Sequence, residues 1–262
     1  LRVWETRYGF PVPHRRASGH RRYDERHVAA ILDVVRRRAH GVRLDVAITQ
    51  AQAAESPVSS LEESSVFSRL RHTHPELMPH RLRKSTLLSL SRAIEDEVCS
   101  RSGRPLIFGS FQQEHHFRAS EARWRDVART SSATYAFADF VDESDPAGDI
   151  HLVSLPEGHV MLREWGIVCD SSAVPVALSA WELPGQHGVP DLERVFEAIW
   201  TIDSGAVREA AMVCARSAAA IGADGAETIA ADLSRPTTPT PVDIAAVTGL
   251  FNRILAYVDA RR

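Results

Sequence analysis

The chain has 262 residues, a formal net charge of −3, 44% hydrophobic and 25% charged residues, an ordinary composition for a globular protein able to bury a core in one or two domains. No stretch approaches the ~20 consecutive apolar residues of a membrane span. Cys99, Cys169 and Cys214 stand far apart without CxxC spacing, which argues against a disulfide framework or a structural zinc and fits a reducing cytoplasm.

The net charge conceals a division. Residues 1–45 hold eleven bases, all arginine, and five acids, a balance of 11 − 5 = +6, so the remainder carries −9. This predicts an electropositive module on a mildly acidic body. Arginine also makes the bidentate contacts to phosphate and guanine that lysine cannot copy.

Leu1–Glu5 reads as the middle of a helix, so the chain is expected to continue upstream. Leu1, Trp4 and Tyr8 share one helical face, and Gly9, Pro11 and Pro13 end that helix. Ala17-Ser18-Gly19 is a turn signal between two arginine-rich arms, which predicts a β-hairpin wing. Asp24 caps a helix over Glu25–His40, whose buried face is expected at Val28, Ile31, Leu32 and Val35, with a short helix over Leu44–Ala53 beyond Gly41. Glu55–Ser65 is a Ser- and Glu-rich linker. A short helix is expected over Leu61–His72 and a long one from about Pro79 to Ser102. The long helix carries a stripe of Leu87, Leu90, Ile94 and Val98 that serves equally to pack on its own domain or to pair with a symmetry mate. Strands follow at Leu106–Phe111, Thr134–Phe140, Ile150–Ser154, Glu164–Cys169 and Pro175–Trp181, with a helix over Arg118–Arg129 between the first two. Helices are then expected over Asp191–Ile202, Gly205–Ile221, Gly225–Leu233 and Pro241–Ala260. The fold class is α+β, a small winged module joined by helices to a mixed α/β domain with a helical C-terminal part.

RVWETRYG resembles the end of the recognition helix of MerR-family winged-helix regulators. RRASGHRRY resembles their wing, and DERHVAAILDVVRRRAHGVRLDVAI the helix pair that follows; Val3 stands where many members carry an aromatic. The resemblance implies a homodimer on near-palindromic double-stranded operator DNA, acting with RNA polymerase at the promoter. A helix carrying Arg2, Arg7 and Tyr8 would lie in the major groove, and a wing of Arg15, Arg16, His20, Arg21, Arg22 and Tyr23 would grip phosphate. The plainer reading of these arginines is a solvated face. FGSFQQEHHFRASEARWRDVARTSSATYAFADF, LREWGIVCD and ALSAWE resemble the DICT family, over about Arg81–Trp200. That resemblance implies a sensory domain, found beside regulators and signalling enzymes. The domains expected are 1–54 (winged helix), 55–80 (linker and short helix) and 81–262 (sensory domain with C-terminal helices).

The densest polar cluster in the body lies around Phe111, Gln112, His115, His116, Arg118 and Trp124. With the aromatic wall of Trp165 and Trp181 it is the candidate ligand site, for a small molecule or chromophore. A polar strand-to-helix junction with internal salt bridges and core tryptophans is the plainer account. No HExxH, GxSxG, Walker A or GxGxxG is present, so neither a metal site nor catalysis is expected. Two alternatives stay open: a signal-binding or protein-interaction module that no longer binds DNA, and a metal-dependent enzyme built on His115 and His116.

Overall fold

The computed structural model describes residues 3, 4, 8, 10, 11, 14, 15, 21–23, 25–39, 43–45, 47, 48, 51, 65–100, 103–143, 145, 147–236 and 243–260. The chain divides into two compact units, residues 1–62 and 63–262.

In the first unit, Val3, Trp4 and Tyr8 are helical. β1 (His14–Arg15) and β2 (Arg21–Arg22) form a two-stranded antiparallel ribbon with Arg15 opposite Arg21, the expected hairpin. α1 (Glu25–Ala39) follows, and Leu44, Asp45, Ala47, Ile48 and Ala51 are helical again. The core joins Phe10, Val34, Ala47, Ile48 and Ala51, with Trp4, Tyr8, Ala30, Ile31 and Leu44 packed on it. The expected buried face of α1 is therefore one residue out of place. Val34 is fully buried, whereas Val28, Leu32 and Val35 are 48%, 57% and 51% exposed. Ala30, Ile31 and Val34 stand at i, i+1 and i+4, a narrower stripe of smaller side chains that the valine- and leucine-rich face beside it obscures.

The second unit is built on a seven-stranded mixed sheet in the order β3-β9-β8-β7-β4-β5-β6. Its strands are β3 (His80–Arg83), β4 (Leu106–Ser110), β5 (Ala133–Ala138), β6 (His151–Ser154), β7 (Glu164–Asp170), β8 (Val176–Glu182) and β9 (Val195–Thr201). β4, β5 and β6 run parallel; the other neighbours are antiparallel. The helices are α2 (Val66–Thr73), α3 (Lys84–Cys99), α4 (Glu114–Arg118), α5 (Glu121–Thr130), α6 (Ser204–Ile221), α7 (Ala226–Leu233) and α8 (Ile244–Asp259). The central strands read as near-continuous apolar runs because both faces of the sheet are covered.

Three expectations change here. The long helix begins at Lys84 rather than Pro79, because His80–Arg83 pair with β9 as an edge strand. The segment expected as a helix over Asp191–Ile202 is a short 3-10 turn followed by β9, so Trp200 lies on a strand, opposite Leu178. The helix expected over Arg118–Arg129 starts later, at Glu121, and is preceded by a separate short helix, α4, that ends at Arg118. The α3 stripe is spent inside its own domain: Leu87, Ile94 and Val98 belong to the core under the sheet, with Leu90 packed against it.

Side chains alternate along each strand and so divide the interior into two layers. On β7, Trp165, Ile167 and Cys169 face the layer of α3, α5 and α8, while Val168 faces the layer of α2, α6 and α7. Glu164 is fully buried and holds the start of α2. Its carboxylate accepts from the hydroxyls of Ser65 (2.9 Å) and Ser179 (2.6 Å) and from the backbone N–H of Phe67 (2.9 Å). The free N–H groups and positive end of a helix N-terminus favour such an anion. Burial still pushes the Glu164 carboxyl above its usual range, against those hydrogen bonds.

Candidate functional site

The layer of α3 and α5 contains a cleft of about 400 Å³, within the range of small-molecule sites. α3 supplies Lys84, Leu88, Ser91 and Glu95. The β4–α4–α5 segment supplies Phe111, His116, Ala122 and Trp124, and β7 supplies Trp165 and Ile167.

The aromatic wall is held from behind. Trp124 meets the edge of Phe111 at 4.9 Å between ring centroids, and Phe111 meets Phe117 at 5.2 Å. The Trp124 ring lies over Gly109, where a Cβ would come within 2.1 Å of it, so this strand position must lack a side chain. Trp124 Nε1 donates to Glu95 (3.3 Å) and Trp165 Nε1 to Ser91 Oγ (3.2 Å), which fixes the plane of each ring. Glu95 pairs with Arg123, whose Nη2 also meets Asp96 at 2.5 Å. Burial raises the Glu95 carboxyl above its usual range even so.

The polar side of the cleft centres on Lys84, 1% exposed. Its Nζ lies 2.7 Å from Asp191 Oδ1, 3.0 Å from His116 Nε2 and 5.0 Å from the centre of the Trp165 ring. Burial lowers the Lys84 pKa and Asp191 opposes that effect. Burial, then the charges of Lys84 and His115, bring His116 down to about 4, so its ring is neutral at pH 7. With an ammonium donating to Nε2, the ring proton sits on Nδ1. Asp191 is shared with Arg194 (3.2 Å); Arg194 pairs with Glu182, and Glu182 accepts from Gln112 Nε2 at 3.0 Å. Gln112 is buried in the left-handed region (φ 64°), and its Oε1 has no hydrogen-bond partner among the described residues.

Of the residues expected to hold a ligand, Phe111, His116, Trp124 and Trp165 line this cleft. Gln112 lies in the polar network linked to Asp191 through Glu182 and Arg194. His115 is exposed and lies against His116, with ring centroids 3.9 Å apart and the planes tilted by 53°. Arg118 points elsewhere, paired with Glu114 and Glu121 over the rings of Phe117 and Phe140. Trp181 belongs to the opposite layer, against Phe67 and Arg163. Among the described residues no three His, Cys, Asp or Glu side chains converge as metal ligands. Lys84, Asp191, Ser91 and Glu95 were not expected. The signal in the sequence was composition: Lys84 is the only lysine in the chain.

In the arginine-rich unit, Arg2, Arg7, Arg16 and His20 lie outside the described residues. Arg15 and Arg21 are register partners on the two strands of the ribbon, Arg22 is exposed, and Tyr23 meets His27 edge to face at 6.1 Å. Tyr8 packs on the unit's core.

Residues 1–53 match the model of the MerR HTH family regulatory proteins. Residues 64–183 match the DICT model, described as a sensory domain in diguanylate cyclases and two-component systems, beginning before Arg81 and ending before Trp200. No curated protein and no solved structure matches the chain. No helix among the described residues is long and apolar enough to cross a membrane. A DNA-binding module of transcription regulators is thus followed in one chain by a sensory domain.

Proposed function

We propose that this MerR–DICT chain is a cytoplasmic, ligand-responsive transcription regulator. In this reading it binds double-stranded operator DNA as a homodimer and acts with RNA polymerase at the promoter. The observation that carries the sensing half is the cleft: a space of about 400 Å³ with a pinned tryptophan wall and a buried cation 5.0 Å from the centre of the Trp165 ring. The DNA-binding half is supported by the charge of +6 over residues 1–45 and by a ribbon with arginine on both arms. Phosphate contacts by Arg15, Arg16, His20, Arg21, Arg22 and Tyr23 would set the register on DNA, and Arg2, Arg7 and Tyr8 would approach the bases.

β7 is the proposed route from ligand to DNA. Trp165 lines the cleft, and its neighbour Glu164, on the other face of the same strand, holds the first turn of α2. The chain enters α2 directly from the segment that follows the DNA-binding unit, so a ligand that shifts Trp165 biases the strand to which that entry is tied.

The test is operator selection from random DNA, then binding measured by fluorescence anisotropy against salt. Arg15→Ala and Arg22→Ala should each weaken binding on all sequences and each lower the slope of log K on log salt by about one. Failure to select any DNA, from protein shown to be folded, refutes the DNA-binding half.

A further inference from the structure

Of the 31 lysine and arginine side chains in the chain, 30 are arginine. Arginine is used wherever a cation has only to pair with a carboxylate, as at Arg123, Arg125 and Arg194. The sole lysine is the buried cation of the cleft. A guanidinium would pair with Asp191 at least as well, through two parallel hydrogen bonds. What it cannot do is shed a proton and act as a nucleophile, because a guanidinium stays protonated in proteins. The surroundings of Lys84 suit that second role. Its amine is desolvated and lies near Arg194, both of which disfavour the ammonium form. Neutral His116 accepts a hydrogen bond from Nζ and orients it. Asp191, 2.7 Å away, is a ready counter-ion. The tryptophan wall beside it would hold a flat apolar body.

We propose that Lys84 captures the ligand covalently, as an imine with an aromatic or conjugated aldehyde seated in the cleft. The ammonium first releases a proton to water. The free Nζ adds to the carbonyl carbon, forming the C–N bond as the C=O π bond breaks. The carbinolamine then expels its oxygen as water, and the nitrogen regains a proton. In sum, aldehyde and ammonium give iminium and water, with no oxidant or reductant consumed. The nitrogen is cationic at the start and at the end, so Asp191 faces a positive charge in both states. Lys84 is the reacting group; His116 and Asp191 are positioning residues.

This proposal rests on the cleft being the ligand site, and one experiment separates the two. Full-length protein carrying Arg129→Lys, which adds an exposed control amine on α5, is incubated at neutral pH with cinnamaldehyde. Cyanoborohydride traps any imine, and the adducts are located by peptide mass spectrometry. Cinnamyl alcohol, which has the same carbon skeleton and no carbonyl, serves as competitor and, by quenching tryptophan fluorescence, as a reporter of occupancy. The expected result is an adduct at Lys84 formed at least tenfold faster than at the introduced lysine, slowed by cinnamyl alcohol and reduced in Trp165→Ala. Labelling of Lys84 no faster than the control, or indifferent to the alcohol, overturns the imine. If the alcohol still quenches saturably in that case, the cleft stands as a non-covalent site. If it does not, both proposals fall.

Discussion

The two faces of the seven-stranded sheet are packed on different plans. One is covered by α6, whose Ala206, Ala210, Ala211, Ala215 and Ala218 are all fully buried, so the helix lies close against the strands. The other is covered by α3 and α5, whose contacts are made through Trp124, Trp165, Phe111 and Leu87. Small side chains permit a flush contact, whereas large rigid rings that cannot interdigitate completely leave a space between them. The cleft lies on the second face because of the residues that cover it. On the first face Glu164 is the fully buried carboxylate, and Glu209 of α6 pairs with Arg69 and Thr73 of α2 nearer the surface; on the second face charges pair at the opening of the cleft.

The largest effect should come from removing the ring that supports the wall. Trp124→Ala takes a side chain only 2% exposed from above Gly109 and is expected to cost about 3–5 kcal/mol, read from denaturant unfolding. A loss under about 1 kcal/mol would show that the wall carries no load. Next in size is a paired comparison of insertions. Ala211→Leu, on the flush face, should cost about 1–3 kcal/mol by overpacking. Ala122→Leu, at the exposed edge of the cleft, should change stability by no more than about 0.5 kcal/mol while weakening ligand binding. Equal costs at the two sites would erase the distinction between the faces.

The smallest effect concerns pH. Burial holds His116 at about 4, below its ordinary 6.5, so the unfolded chain takes up this proton first as pH falls. Its contribution to stability is therefore complete above 6.5 and is lost as pH drops from 6.5 through 4. The ring is partly exposed, so solvent screening cuts this contribution down. Melting temperatures measured from pH 7.5 to 4.5 should fall less steeply in His116→Gln than in the parent; parallel curves would mean that His116 is not held neutral by the fold.

Much of this architecture was legible in the sequence because it is local. β4, β7 and β8 are short, mainly buried and apolar runs bounded by turns, and α6 is an alanine-rich stretch between Asp203 and Gly222. The hairpin of the first unit could be read from Ala17-Ser18-Gly19 and the arginines around it. β3 escaped detection because His80-Arg81-Leu82-Arg83 has the composition of a helix start; only its pairing with β9 makes it a strand. β9 escaped for the converse reason: Val195, Phe196, Ile199 and Trp200 satisfy a helical spacing as readily as an extended one. The site was half legible. Phe111, His116 and Trp124 are close in sequence and Trp165 was drawn in as an aromatic, but Asp191 meets Lys84 across 107 positions, from a segment expected to be a helix. Trp181, one strand away from Trp165, lies on the other side of the sheet because its strand alternates faces, and a sequence without register cannot show which tryptophan turns which way.

The Glu164 anchor bears on how such proteins come to exist. Every donor it gathers, Ser65, Val66, Phe67 and Ser179, lies at position 65 or beyond, so the sensory domain fastens its own leading end. A genetic exchange within residues 52–64 would break none of those contacts. Whatever precedes the junction is interchangeable cargo as far as this anchor is concerned, which suits a domain whose family description already spans diguanylate cyclases and two-component systems.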